Sequence, residues 1–134
     1  MDIHIAAAAL VRSDGATLLV RKRGTNAFMQ PGGKIDNGEA PLVALYRELA
    51  EELALLPGDG ATATYIGRFE AVAANEEGRR VIAELYRLDT ERDFIAQSEI
   101  AEARWIRPEE TEEFILAPLT RDHVLPAIWG AQAS

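Results

Sequence analysis

The sequence predicts an α+β (mixed α/β) layered domain, and three observations carry that expectation. Short β-branched and aromatic runs precede and follow one amphipathic helix. Turn signals divide those runs into two hairpins. Helical patterns close the chain, so the order is strands, helix, strands, helices. A single domain over residues 1–134 is expected, a length sufficient for one core.

Each element has its own justification. Residues 3–12 (IHIAAAALVR) are an apolar run with β-branched ends, although the alanines leave its type ambiguous. Ser13-Asp14-Gly15 is a turn signal, and TLLVRKR (17–23) completes a first hairpin. Phe28 to Gln30 reads as a short strand stopped by Pro31-Gly32-Gly33. Pro41 suits the first turn of a helix, where its missing N–H costs nothing. That helix is expected from Glu39 to Leu53, with Leu42, Leu45, Tyr46, Leu49 and Leu53 on one face. Glu48, Glu51 and Glu52 are placed on a roughly opposite arc, and Pro57 to Gly60 ends the element. Residues 61–73 and 80–88 read as a second hairpin turning at Asn75 to Gly78. Residues 91–99 read as loop and 103–107 as a strand. A helix begins at Pro108, and a last one spans Thr120 to Trp129 with a kink at Pro126.

Composition bounds the function. The chain is 48% hydrophobic and 27% charged, as ordinary globular proteins are. It has no cysteine, hence no disulfide framework and no thiolate metal site, which fits a reducing compartment. A net charge of -8 opposes broad attraction to a nucleic-acid backbone. The longest apolar run, Ile5 to Val11, is too short to span a bilayer and lacks the basic flank of a signal peptide. The expectation is a cytoplasmic protein with no membrane and no nucleic-acid polymer as partner.

One stretch, Gly33 to Leu55, stands apart. Glu48, Glu51 and Glu52 would repel one another on neighbouring helix turns unless something sat between them. A divalent cation such as Mg²⁺, bound by carboxylates and bridging to phosphate, would remove that cost. Arg47 is placed to pair with Glu51 or Glu39, and the Gly32-Gly33 loop allows close backbone approach to a ligand.

These residues resemble the Nudix box of the Nudix hydrolases. The family pattern runs Gly, five residues, Glu, seven residues, Arg-Glu, an aliphatic, any residue, Glu-Glu, any residue, Gly and an aliphatic. Gly33, Glu39, Arg47, Glu48, Leu49, Glu51, Glu52 and Leu55 fall on it. Ala54 takes the place of the late glycine, where a left-handed helix end would cost alanine on the order of 1 kcal/mol. Alternatively the helix continues to Leu56 and stops before Pro57.

The resemblance implies an α/β/α sandwich with a mixed curved sheet. It also implies Mg²⁺- or Mn²⁺-dependent hydrolysis of the diphosphate linkage in a nucleoside diphosphate derivative. Glu51 and Glu52 would bind metal, Glu48 would be a ligand, a general base or both, and the Gly32 carbonyl would complete the shell. Arg47 would orient the glutamates and Glu39 would support them. A later-loop glutamate would join, Glu99 preferred to Glu102. Arg21, Arg23, Phe28 and Lys34 are the candidate substrate contacts.

Blander readings stand beside these. The Arg21, Lys22 and Arg23 cluster grips a phosphate or is plain surface charge, and Phe28 stacks on a base or packs in the core. Trp105 and Trp129 read as core, His4 as structural, and the charges at 91–94 and 109–113 as solvated. Compact size favours a small (d)NTP-type substrate. Neither the proline of ADP-sugar hydrolases nor the tyrosine of dinucleoside polyphosphate hydrolases stands in RFEAVAA (68–74). Gln30 precedes Pro-Gly-Gly where 8-oxo-dGTP-cleaving relatives often carry an aromatic. The alternatives are another NDP-X or ADP-sugar pyrophosphatase and a nucleotide-binding sensor with an idle site. A relative of isopentenyl diphosphate isomerase is disfavoured because that chemistry leans on a cysteine. Monomer and homodimer are both open.

Overall fold

A computed structural model describes residues 2–56, 62–73 and 78–130. The expected Pro57–Gly60 stop and most of the Asn75–Gly78 turn lie outside those residues. Seven strands form one sheet: β1 (Asp2–Val11), β2 (Thr17–Lys22), β3 (Phe28–Met29), β4 (Gly32–Lys34), β5 (Thr64–Val72), β6 (Arg80–Asp89) and β7 (Ile100–Ile106). The ambiguous alanine run is thus a strand. It pairs in parallel with β6 along its whole length, from Asp2↔Arg80 to Val11↔Asp89. A strand covered on both faces reads as a continuous apolar run, which is why alternation was not visible.

The sheet forks. β1 and β2 pair only at Val11↔Thr17, after which β2 leaves to pair with β7 and β3. β4 takes the vacated edge of β1, with Ala6 opposite Gly33 and Ala7 opposite Gly32. The Pro-Gly-Gly segment follows the end of β3 at Met29, as expected, and its glycines also start a further strand, β4. Gly32 permits that close approach to the β1 backbone. Gly32 has φ +145, and a Cβ there would strike the Ala6 carbonyl.

Helix α1 (Pro41–Leu53) covers one face of the sheet, packing Leu45, Leu49 and Leu53 on Ala6, Ala8, Leu10, Leu18 and Val20. On the other face Ala7, Ala9 and Val11 meet Leu119, Val124, Leu125 and Ile128. Those residues belong to a π-helical turn (Thr120–Val124), its approach, and α2 (Leu125–Trp129), which carries Pro126 in its first turn. The expected α/β/α layering is therefore present. The helix expected from Pro108 is a 3₁₀ segment, Pro108–Glu113, ended by extended backbone at Phe114.

Two expectations for α1 need correction. Leu42 is exposed rather than core. Glu52 is buried, at 6% exposure, rather than opposite the apolar face. A heptad of α-helix closes to within about 20° of two full turns, so Glu52 lies over Leu45. The helix end also resolves: Ala54 adopts φ 55, ψ 28, the left-handed cap. Its N–H donates to the Ala50 carbonyl at 3.1 Å, and the Leu55 N–H to the Leu49 carbonyl at 3.2 Å.

Candidate active site in the fork of the sheet

Arg47 is the scaffold of the acidic cluster. Its Nε and Nη2 donate to the two Glu39 oxygens at 3.0 and 2.9 Å, and its Nη1 donates to Glu48 at 2.6 Å. Nη2 also reaches the Lys34 carbonyl at 3.0 Å, tying α1 to β4. The guanidinium holds the Glu39 carboxyl well below its usual range, helped by the Asp36 N–H. Glu51, four residues on, lies 4.0 Å away and faces solvent.

Glu48 rests on Gly33, and any Cβ at Gly33 would occupy the place of its carboxylate. Burial pushes the Glu48 carboxyl up, as does the Glu51 charge, while Arg47 opposes both. Glu52 sits deeper. Burial pushes its carboxyl up to about 7, and the Glu48 charge adds to the rise. The carboxylate's one hydrogen bond among the described residues is a long one from the Gly32 N–H, at 3.3 Å. A carboxylate so buried and so thinly solvated is costly to ionise without a cation.

The donor set of Glu48, Glu51 and Glu52 is all hard oxygen, which fits Mg²⁺ or Mn²⁺. The side chains are not closed on one point: among the described residues no three acidic or imidazole groups converge tightly enough to hold an ion. Glu48 is turned to Arg47, Glu52 to Gly32, and Glu51 outward. Rotation of these side chains would be needed to close a shell around an ion.

The substrate candidates divide by strand parity. On β2, Leu18 and Val20 face α1, so Lys22 faces it too, while Arg21 points to the other side with Leu19. Arg21 is committed to Glu102, at 2.9 Å, and to the Thr25 carbonyl. Lys22, rather than Arg21, stands near the carboxylates, close enough to draw both Glu48 and Glu52 downward. The parity of Val20 was the signal that could have found it. Lys22 and Lys34 line a largely apolar cleft with Ile3, Ile5, Gln30 and Gly32. Buried Gln30 accepts the Thr120 hydroxyl there.

Phe28 is corrected to the core reading: its ring is buried against Phe114 in an edge contact at 5.2 Å and offers no face to a base. Arg23 is set apart on the rim, its Nε toward the Ser98 carbonyl at 3.4 Å. The Arg23 N–H takes the Glu99 carbonyl, which brings that exposed glutamate beside the end of β2. Glu102 is held on the opposite sheet face by Arg21.

Comparison with known proteins shows the family and the fold. The NUDIX domain family matches residues 2–128. An RNA pyrophosphohydrolase of Halorhodospira halophila is 35% identical over 112 residues, covering 72% of this chain and 62% of that protein. The chain thus spans less than two thirds of the length of that relative. The MutT protein of Methanosarcina mazei shares the fold at a TM-score of 0.76, with 18% identity and coverage of 99% and 96% of the two chains. The dihydroneopterin triphosphate pyrophosphohydrolase of E. coli does so at 0.71, with 16% identity and coverage of 84% and 85%. No described helix is long and apolar enough to cross a membrane. With its box residues gathered at the fork of a matching fold, the chain belongs to the Nudix family, whose hydrolases split diphosphate linkages.

Proposed function

We propose that this chain is a Mg²⁺- or Mn²⁺-dependent hydrolase that splits the phosphoanhydride bond of a small nucleotide of the (d)NTP type. The observation that carries the reading is Glu52, a buried carboxylate short of donors beside a second carboxylate. Glu48, Glu51 and Glu52, with the Gly32 carbonyl, would hold the metal. When bound, it neutralises the substrate phosphates and polarises the bond that breaks.

The residues of the chain supply the rest. Arg47, anchored on Glu39, fixes the Glu48 carboxylate against Gly33. Glu48, or Glu99 swung in from its loop, accepts the proton of the attacking water. The water oxygen bonds to phosphorus, the anhydride P–O bond breaks, and the departing phosphate oxygen keeps the electron pair. Lys22 and Lys34 receive the phosphates at the mouth of the cleft, and its apolar wall with Gln30 receives the nucleoside. Gly33 leaves room for this arrangement.

A second reading takes the 5′-triphosphate end of an RNA as substrate. The H. halophila relative favours it, and the net charge of -8 opposes it. One panel separates the readings: (d)NTPs, NDP-sugars and a 5′-triphosphorylated RNA oligomer, each with Mg²⁺, Mn²⁺ or chelator. Metal-dependent turnover of a free nucleotide supports the proposal. Turnover of the RNA end alone replaces the substrate. Tight nucleotide binding with no turnover across the panel replaces the enzyme by a sensor.

A further inference from the structure

β5 is an edge strand: it pairs with β6 on one side and with no described strand on the other. Edge strands usually carry a defence such as proline, inward-pointing charge or a protecting segment. From residue 62 to 73 this one has no proline. It also holds three of the large apolar side chains that the described residues expose, Tyr65, Ile66 and Val72. Its bulge, between Tyr65 and Gly67, lies at one end and leaves the stretch to Val72 in regular register with β6.

The order of residues along that edge is self-complementary. If two copies pair antiparallel about a twofold axis at Phe69, Arg68 falls opposite Glu70 of the other copy, and Glu70 opposite its Arg68. Ile66, the extra residue of the bulge, comes to lie beside Val72 of the other copy, just past the regular stretch from Gly67 to Val72. Gly67 falls opposite Ala71, so small residues flank the central Phe69 pair. Directly opposed residues share a sheet face, so the two Arg68–Glu70 crossings are favourable cross-strand pairs. A slip by one residue in either direction breaks every match.

The charges are available for this. Arg68 gives its Nε to Glu84 at 2.8 Å yet is mostly exposed. Glu70 meets Arg80 at 2.9 Å and is half exposed.

We infer that β5 is the docking edge for a second copy of this chain, joined by antiparallel β5–β5 pairing about Phe69 into one continuous sheet. The contact is a strand pair with few apolar anchors, so the dimer is weak and concentration-dependent.

The absence of cysteine makes the test direct. Ile66→Cys and Val72→Cys are made separately at exposed positions and treated with a short bismaleimide, alone and mixed. In the inferred register 66 lies beside 72, whereas 66 from 66, or 72 from 72, is about 20 Å apart. Covalent dimer in the mixture, at least tenfold faster than in either variant alone, is the expected result. Sedimentation of Glu70→Lys should show association weakened at least tenfold, because two like-charged crossings replace two ion pairs. Equal linking of each variant with itself means another register or chance collision and overturns the inference. So does the absence of any linked dimer, or unchanged association of Glu70→Lys.

Discussion

Glu52 and Glu84 expose almost the same small share of surface, 6% and 5%, with Glu52 the deeper of the two, and their carboxyls are driven in opposite directions. Burial alone would push Glu84 up, but His4 Nε2, the Tyr65 hydroxyl and Arg68 Nε surround it at 2.7–2.8 Å and hold it below its ordinary value. Glu52 has burial, the Glu48 charge and a single long donor, and rises to about 7. The difference teaches which buried acid is structural. Glu84 is satisfied by its own chain, whereas Glu52 is left for a cation.

The largest effect should come from removing the unsatisfied acid. Glu52→Gln is expected to lower kcat by about a hundredfold or more, the scale of losing one electrostatic stabiliser of the transition state. Its denaturation curve should stay cooperative, and near-wild-type turnover would remove Glu52 from the site. Next comes pH. Glu52 has a folded pKa above its unfolded value, so the folded state holds the extra proton between about 4.5 and 7. Metal-free protein should therefore lose up to about 3 kcal/mol of stability from this group as pH rises through 7. Mg²⁺ should return it, and Glu52→Gln should abolish the slope, as read by urea melts in chelator.

Glu84→Gln should do the reverse of Glu52→Gln. It is expected to cost about 1–3 kcal/mol in urea melts, because charged hydrogen bonds are lost, while kcat holds near wild type. A hundredfold fall in kcat there would erase the distinction between the two acids. The smallest effect belongs to Ala54→Gly. It relieves the left-handed cap beyond Glu52 without touching a charge, and should add about 1 kcal/mol at unchanged kcat.

Much of the site was legible because its spacing is local. Glu39, Arg47 and Glu48 sit on one short segment, and the structure brings them together at 2.6–3.0 Å. What failed depended on distant partners. Glu52 was misplaced on the helix because it was grouped on one arc with Glu48 and Glu51, although seven residues from Leu45 bring it back over the apolar face. Arg21 was chosen over Lys22 because the choice turns on which face of β2 meets α1. Phe28 was offered to a base because its partner Phe114 lies far along the chain. The strand at Gly32–Lys34 was missed because glycine stops most strands, and here Gly32 is what the close approach of the β1 backbone requires and Gly33 what the Glu48 carboxylate requires. The parallel β1–β6 pairing joins residues nearly eighty positions apart, which no window of sequence shows.

The alanines of β1 act as a gauge. A core usually absorbs an added methylene by local repacking, at a cost of about 1–3 kcal/mol. At Ala6 the first thing pressed would be the underside of α1 at Leu45 and Leu49, the helix that carries Glu48 and Glu52. A change of bulk in β1, with no charge involved, would thus surface as a change in turnover before it surfaced as a loss of fold.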